Sequence, residues 1–208
     1  MPDKSDLQKL FKEGLVWFAA SPQSPDLCRI LQAPISTSEE QSISPSAPPP
    51  LAVGFNIPEI DQNLPHGGLL FGGVHEFFGS TASGSEFKPC TIPAMLAAEG
   101  ANLICLRLNR FDKFMLWIGR GCWPTPFLLE ATLPLTRDLS ALDFLPQCLF
   151  VDPPSQKLKL WCLEIALRSC AVAVVTAEMD ALPFATTRKF SLLAKKSGVL
   201  GILIRPYR

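Results

Sequence analysis

Residues 73–86 read Gly73-Val-His-Glu-Phe-Phe-Gly79-Ser-Thr-Ala-Ser-Gly84-Ser-Glu86, and this stretch decides the fold. The apolar run 74–78 predicts a short strand that enters a loop at Gly79. The next glycine is Gly84. That is the Gly-x-x-x-x-Gly spacing of a phosphate-binding loop, in which successive backbone N–H groups converge on phosphate oxygens. A nucleotide-binding loop continues with Lys, whose ammonium reaches the β- and γ-phosphates, and then Ser or Thr, whose hydroxyl holds Mg²⁺. Here those positions are Ser85 and Glu86. Ser85 carries no charge. Glu86 sets a carboxylate at a predicted helix N-terminus, where the dipole favours an anion and phosphate would otherwise sit. Loss of the Lys removes about 1.5–3 kcal/mol per charged hydrogen bond, roughly ten- to a hundredfold in affinity. The expectation is a degenerate phosphate loop, built from Gly79, Ser80, Gly84, Ser85 and Glu86, that has lost its nucleotide. An ordinary Gly/Ser turn also accounts for two glycines at this spacing.

Composition narrows the classes. With 208 residues, 48% of them hydrophobic, the chain builds one domain of ordinary size and an appendage. A net charge of zero and a pI near 6.7 do not indicate a globally basic nucleic-acid binder. No apolar run reaches membrane-spanning length, and the start, Met-Pro-Asp-Lys-Ser-Asp, is not a signal peptide. A cytoplasmic location is expected. The seven cysteines are scattered, with no Cys-x-x-Cys pair, which predicts reduced, buried thiols. Two histidines make a zinc site an unsupported expectation.

Along the chain, Ser5-Asp-Leu-Gln8 is a capping-box pattern. Leu7, Leu10, Phe11, Leu15 and Phe18 follow at helical spacing. An amphipathic helix is predicted within residues 1–20. Residues 21–50 are rich in Pro and Ser and read as a linker. A compact core then runs over 51–208. Asn56 is a candidate cap for a short helix with Pro58 in its first turn. After the loop, one reading places a helix from Thr91 to about Leu108 and a strand at Phe114–Ile118; the other ends the helix at Gly100 and makes 102–108 the strand. The first is preferred, because Phe-Met-Leu-Trp-Ile ends at a glycine-containing loop. Such loops line the ligand crevice of open α/β sheets, so Arg120 and Trp123 are candidate binding residues. A solvated Arg and a core-plugging Trp are the plain alternatives.

A strand at Cys148–Val151 is followed by Ser155 as a helix cap, with Leu158, Trp161, Cys162 and Ile165 on one face. Residues 171–176 form a continuous apolar, β-branched run, the pattern of a buried parallel strand. Asp180 and Pro183 open another helix, Gly198 closes it, and 199–204 is a last strand. Alternating strands and helices predict an α/β fold, a mostly parallel sheet covered on both faces.

These pieces resemble the RecA-like phosphate-loop family, and within it the ImuA-type branch, accessory proteins of damage-induced mutagenesis. The resemblance is carried by Val53-Gly-Phe-Asn-Ile-Pro-Glu-Ile-Asp61, Leu64-Pro-His-Gly-Gly-Leu69, Val74-His-Glu-Phe-Phe-Gly79, Ala171-Val-Ala-Val-Val175 and the stretch from Thr186 to Pro206. It spans about residues 51–208, and the cell-division inhibitor SulA resembles the same core less closely. The resemblance implies a RecA-like core, association with DNA, and work beside an error-prone polymerase and its polymerase-like partner. The ATPase pattern is broken in three places. Ser85 and Glu86 replace the loop Lys and hydroxyl. The strand that should end in a Mg²⁺-binding Asp runs Val174-Val-Thr-Ala-Glu178, with Glu178 beyond its tip and Asp180 a helix cap. Arg120 stands where a general-base Glu is expected. No cofactor is therefore expected.

Beyond Asp180 the chain holds Arg188, Lys189, Lys195, Lys196, Arg205 and Arg208 and no acid. Arg188 and Lys195, and Lys189 and Lys196, are spaced to share a helix face. They are candidates for single-stranded DNA or partner contact; a solvated face with cations near a helix C-terminus is the plain alternative. The leading functional expectation is a non-catalytic adaptor in DNA-damage tolerance. The alternatives are an atypical ATPase, using Lys88 for phosphate and Glu86 for Mg²⁺, and a SulA-like inhibitor that occludes a cytoskeletal partner.

Overall fold

The structure is a computed structural model that describes residues 16–18, 50–79, 91–104, 112–125, 128 and 145–206. Its centre is a six-stranded sheet. Five strands are parallel: β4 (Val74–Gly79), β5 (Phe114–Ile118), β6 (Cys148–Val151), β7 (Val172–Glu178) and β8 (Leu200–Pro206). Together with β1 (Val16–Phe18), the order across the sheet is β1-β6-β5-β7-β8-β4. The strand entering the loop thus lies beside the last strand, with Val74 paired to Gly201. A separate antiparallel pair, β2 (Ala52–Val53) and β3 (Leu69–Leu70), precedes β4.

Among the described residues, three helices cover the sheet. Helix α2 (Thr91–Asn102) lies on one face; α3 (Gln156–Arg168) and α4 (Phe184–Ser197) lie on the other. The α2 face packs Met115, Trp117, Val174, Ile202 and Ile204 against Ala94, Ala97 and Ala101; alanine lets the helix approach closely. Pro93 falls in the first turn of α2, where no intrahelical donor is required. The opposite face packs Ile118, Val175, Ala177 and Leu203 against Leu163, Leu167 and Phe190. Each such side chain contributes about 1.5–3 kcal/mol by burial.

The preferred strand reading holds at Phe114–Ile118. Helix α2 spans Thr91–Asn102 and leads into a π-helical turn at residues 103–104; the predicted end near Leu108 falls in residues 105–111, which lie outside the described residues. Four expectations are corrected. Val16–Phe18 form a strand, not the end of a helix, with Trp17 opposite Phe150. The edge of β6 offers unpaired backbone groups, and Val, Trp and Phe suit a pleated surface. The rest of the predicted helix, and the linker up to residue 49, lie outside the described residues. Asn56 does not cap the short helix α1 (Pro58–Asp61); it takes a left-handed conformation. The Asp61 carboxylate instead reaches back to accept from the Phe55 N–H at 2.7 Å and the Ile57 N–H at 3.2 Å.

On α3, Ser155 caps as expected, its Oγ accepting from the Leu158 N–H at 3.4 Å. The buried stripe, however, is Cys162, Leu163, Ala166 and Leu167. Small Ala166 lets that face meet the sheet, while Leu158, Trp161 and Ile165 remain half-buried at the rim. Asp180 caps nothing: α4 begins after Pro183 without a side-chain cap. Gly198 closes α4 in the left-handed conformation, as expected.

Candidate functional site

The chain leaves β5 and β7, which are neighbours, on opposite faces. Trp123 and Leu128, which follow β5, pack with the α2-face cluster, whereas α4, which follows β7, lies on the other face. In open α/β sheets such a switch point opens a crevice at the carboxyl ends of the strands. Here a carboxylate stands at that place.

Glu178 is the last residue of β7, paired with Ile204 of β8. The sequence reading, which places it beyond the tip, is corrected: pairing with β5 ends at Ile118 opposite Ala177, but β8 carries the ladder one residue further. Its Oε2 accepts a hydrogen bond from the Gly121 N–H at 3.0 Å and lies 4.0 Å from Lys159 Nζ on α3. Two glycines make room. Gly119 has φ +90°, a conformation that favours glycine, and a Cβ there would stand 3.2 Å from Lys159 Nζ. A Cβ on Gly121 would meet Glu178 Oε2 at 2.5 Å, closer than real contacts allow. Under the turn, the Cys122 thiol is buried and donates to the Gly119 carbonyl at 3.0 Å.

The other sequence candidates are distributed around this crest. Gly79 ends β4, buried and paired with Pro206; Ser80, Gly84, Ser85, Glu86 and Lys88 lie outside the described residues. Arg120 bridges two strand tips, its exposed guanidinium paired through Nε with Asp152, just past β6. Exposed pairs of this kind contribute about 0–1 kcal/mol. Trp123 is half-buried and packs edge-on against Phe150, with centroids 5.4 Å apart.

Arg188, Lys189, Lys195 and Lys196 do share the exposed face of α4, but not the crest. Helix α4 runs back from the β7 tip, so its last turn lies at the amino ends of the strands. A Cβ on Gly72, which precedes β4, would stand 3.5 Å from Lys195 Cα. Lys189 Nζ is 2.7 Å from Glu164 of α3. Arg205 is corrected from a free cation of a basic end to a partnered one: its guanidinium pairs with Glu76 of β4 and lies 5.1 Å over the Phe78 ring.

Glu178, Lys159, Asp152 and the Glu76–Arg205 pair are the residues sequence reasoning did not assemble. Their signal was present, a lone charge at the end of an apolar strand, but the partner in each case comes from a distant element. Two titratable groups are perturbed. Burial pulls the His75 imidazole below its ordinary pKa, while its Nε2–H donates to the Leu70 carbonyl at 3.1 Å, an opposing and smaller effect. Burial pushes the Cys162 thiol up to about 11. Among the described residues, Cys122, Cys148 and Cys162 are buried, as expected, and Cys170 is exposed. No cluster of three or more metal-ligating side chains occurs among the described residues. No helix among them is long and apolar enough to cross a membrane.

The class of protein is thus an α/β protein with a five-strand parallel core, helices on both faces, and its candidate site at a switch-point crest. Comparison with known proteins refines this. No family model matches the chain. It is similar to Protein ImuA of Caulobacter vibrioides, from strain NA1000 / CB15N and from strain ATCC 19089 / CIP 103742 / CB 15. Each is 29% identical over 162 residues, covering 76% of this chain and 60% of the relative. The chain therefore spans less than two thirds of the length of these curated relatives. Among solved structures, the RadB recombinase aligns with a TM-score of 0.49 at 15% identity, covering 74% of this chain and 69% of that one. The similarity to ImuA thus extends over about three quarters of this chain.

Proposed function

We propose that this chain is a non-catalytic adaptor in DNA-damage tolerance, supporting damage-induced mutagenesis by binding an error-prone polymerase or polymerase-like partner. The similarity to ImuA over 76% of the chain carries the reading. Two features favour a scaffold over a motor. The sequence puts Ser85 and Glu86 where an ATPase needs a Lys and a hydroxyl. The carboxylate at the β7 tip is committed to the Gly121 N–H and stands beside Lys159. Arg188, Lys195 and Lys196 are candidates for contact with partner or DNA, and the work is placed in the cytoplasm.

The test is deletion of the gene followed by measurement of mutation frequency after ultraviolet damage. The expected result is a drop of at least tenfold in induced mutants, restored by the wild-type gene and by a Ser85→Ala, Glu86→Ala variant. An unchanged induced frequency overturns the reading.

One observation favours a second reading, an atypical ATPase: a carboxylate, Glu178, does end β7. In that reading Glu178 would release Gly121 to orient a Mg²⁺-bound water, and Lys88 would supply the missing charge. Restoration by the wild-type gene but not by Lys88→Ala would favour it.

A further inference from the structure

The outer face of α4 carries a pattern that packing does not explain. Phe184 is 83% exposed and Leu192 is 61% exposed, the two highest exposures among the large apolar side chains described. At 3.6 residues per turn they lie on one face about 12 Å apart, with Arg188 between them and Lys195 on the same arc. Among the described residues, Arg188 and Lys195 have no ion-pair partner. Their neighbour Lys189 is held to the side by Glu164, which also binds Arg168 at 2.5 Å. From Ala181 to Pro206 the sequence has no carboxylate side chain. The hydrophobic anchors and the charge therefore lie on the same surface, and the charge has one sign.

We infer that this stripe docks an acidic amphipathic segment of a partner protein, two apolar side chains seating on Phe184 and Leu192 and flanking carboxylates meeting Arg188 and Lys195. The inference deepens the adaptor reading and rests on it for the partner's identity. Charge complementarity selects the occupant. A second copy would bring the same cations face to face, which opposes self-association through this stripe. Single-stranded nucleic acid is bound by cations interleaved with aromatic platforms on which bases stack, and Leu192 offers no such platform. Phosphates would leave its apolar surface uncovered. An apolar centre with a charged rim is instead the anatomy of a protein interface.

The experiment places the photo-crosslinking amino acid p-benzoylphenylalanine at Leu192 in the full-length chain, in cells of the source organism, with Lys157 of α3 as the control position. The expected result is one polypeptide adduct, absent at Lys157, whose crosslinked peptide carries a net negative charge and apolar residues. An Arg188→Glu, Lys195→Glu background should lower its yield at least fivefold while leaving the chain folded, with only the small loss of melting temperature that a carboxylate in the last turn of α4 brings. An adduct to nucleic acid, to a neutral or basic segment, or to a second copy overturns the inference. So does an adduct indifferent to charge reversal, or no adduct above the Lys157 control. The two readings fail separately. An acidic adduct with unchanged mutagenesis on gene deletion sinks the role in damage tolerance and leaves the docking site. Lost mutagenesis on deletion without the adduct does the reverse.

Discussion

Glu178 and Gly121 are 57 residues apart in sequence and joined by a 3.0 Å hydrogen bond that ties the tip of β7 to the turn after β5. The bond requires glycine at 121. Gly121→Ala forces the carboxylate out of the turn and leaves it beside Lys159 without its backbone donor. We expect a loss of about 0.5–1.5 kcal/mol, the net worth of one hydrogen bond, because the displaced atoms are the end of a flexible side chain that can turn to water. Glu178→Gln, which keeps an acceptor, should cost less. Urea denaturation of the two variants checks the order.

The Glu76–Arg205 pair should behave as a unit. Both side chains are more than four-fifths buried, and a charge left without its partner there is costly. Removing one partner of a well-buried pair costs about 3–5 kcal/mol; the residual exposure places Arg205→Met and Glu76→Met toward 2 kcal/mol each. Replacing both restores most of the loss. A double-mutant cycle in urea measures the coupling, and additive losses would contradict it.

Stability should fall as pH falls below the ordinary histidine range. Burial lowers the pKa of His75 in the folded state, so the unfolded chain binds the proton more readily. The folded state is then favoured above the unfolded pKa of about 6.5 and loses that advantage as pH drops toward the lowered folded value. The urea midpoint between pH 7.5 and 5.5 reports this. His75→Gln should flatten that part of the profile.

The five parallel strands were legible because each is a short apolar run bounded by Gly, Pro or charge; Phe114–Ile118 and Cys148–Val151 stand where the pattern puts them. Their order was not legible. Nothing local says that Val74 pairs with Gly201, and without that pairing Arg205 reads as a surface cation. The strand at Val16–Phe18 was missed because a helical spacing of apolar residues competes with an open sheet edge that only the fold supplies. At the crest, the loop at Gly119 follows β5 where the strand reading puts it. The group that occupies it, Glu178, was set aside because the apolar run ends before it, whereas backbone pairing does not. The phosphate-loop residues after Gly79 carry the functional argument by sequence only.

Calorimetric titration of the full-length chain with Mg-ATP tests the central proposal, that a loop with Ser85 and Glu86 in place of Lys and a hydroxyl does not grip nucleotide. The account predicts no saturable heat at micromolar nucleotide and no phosphate release. Micromolar binding with turnover that is lost in Lys88→Ala would contradict it.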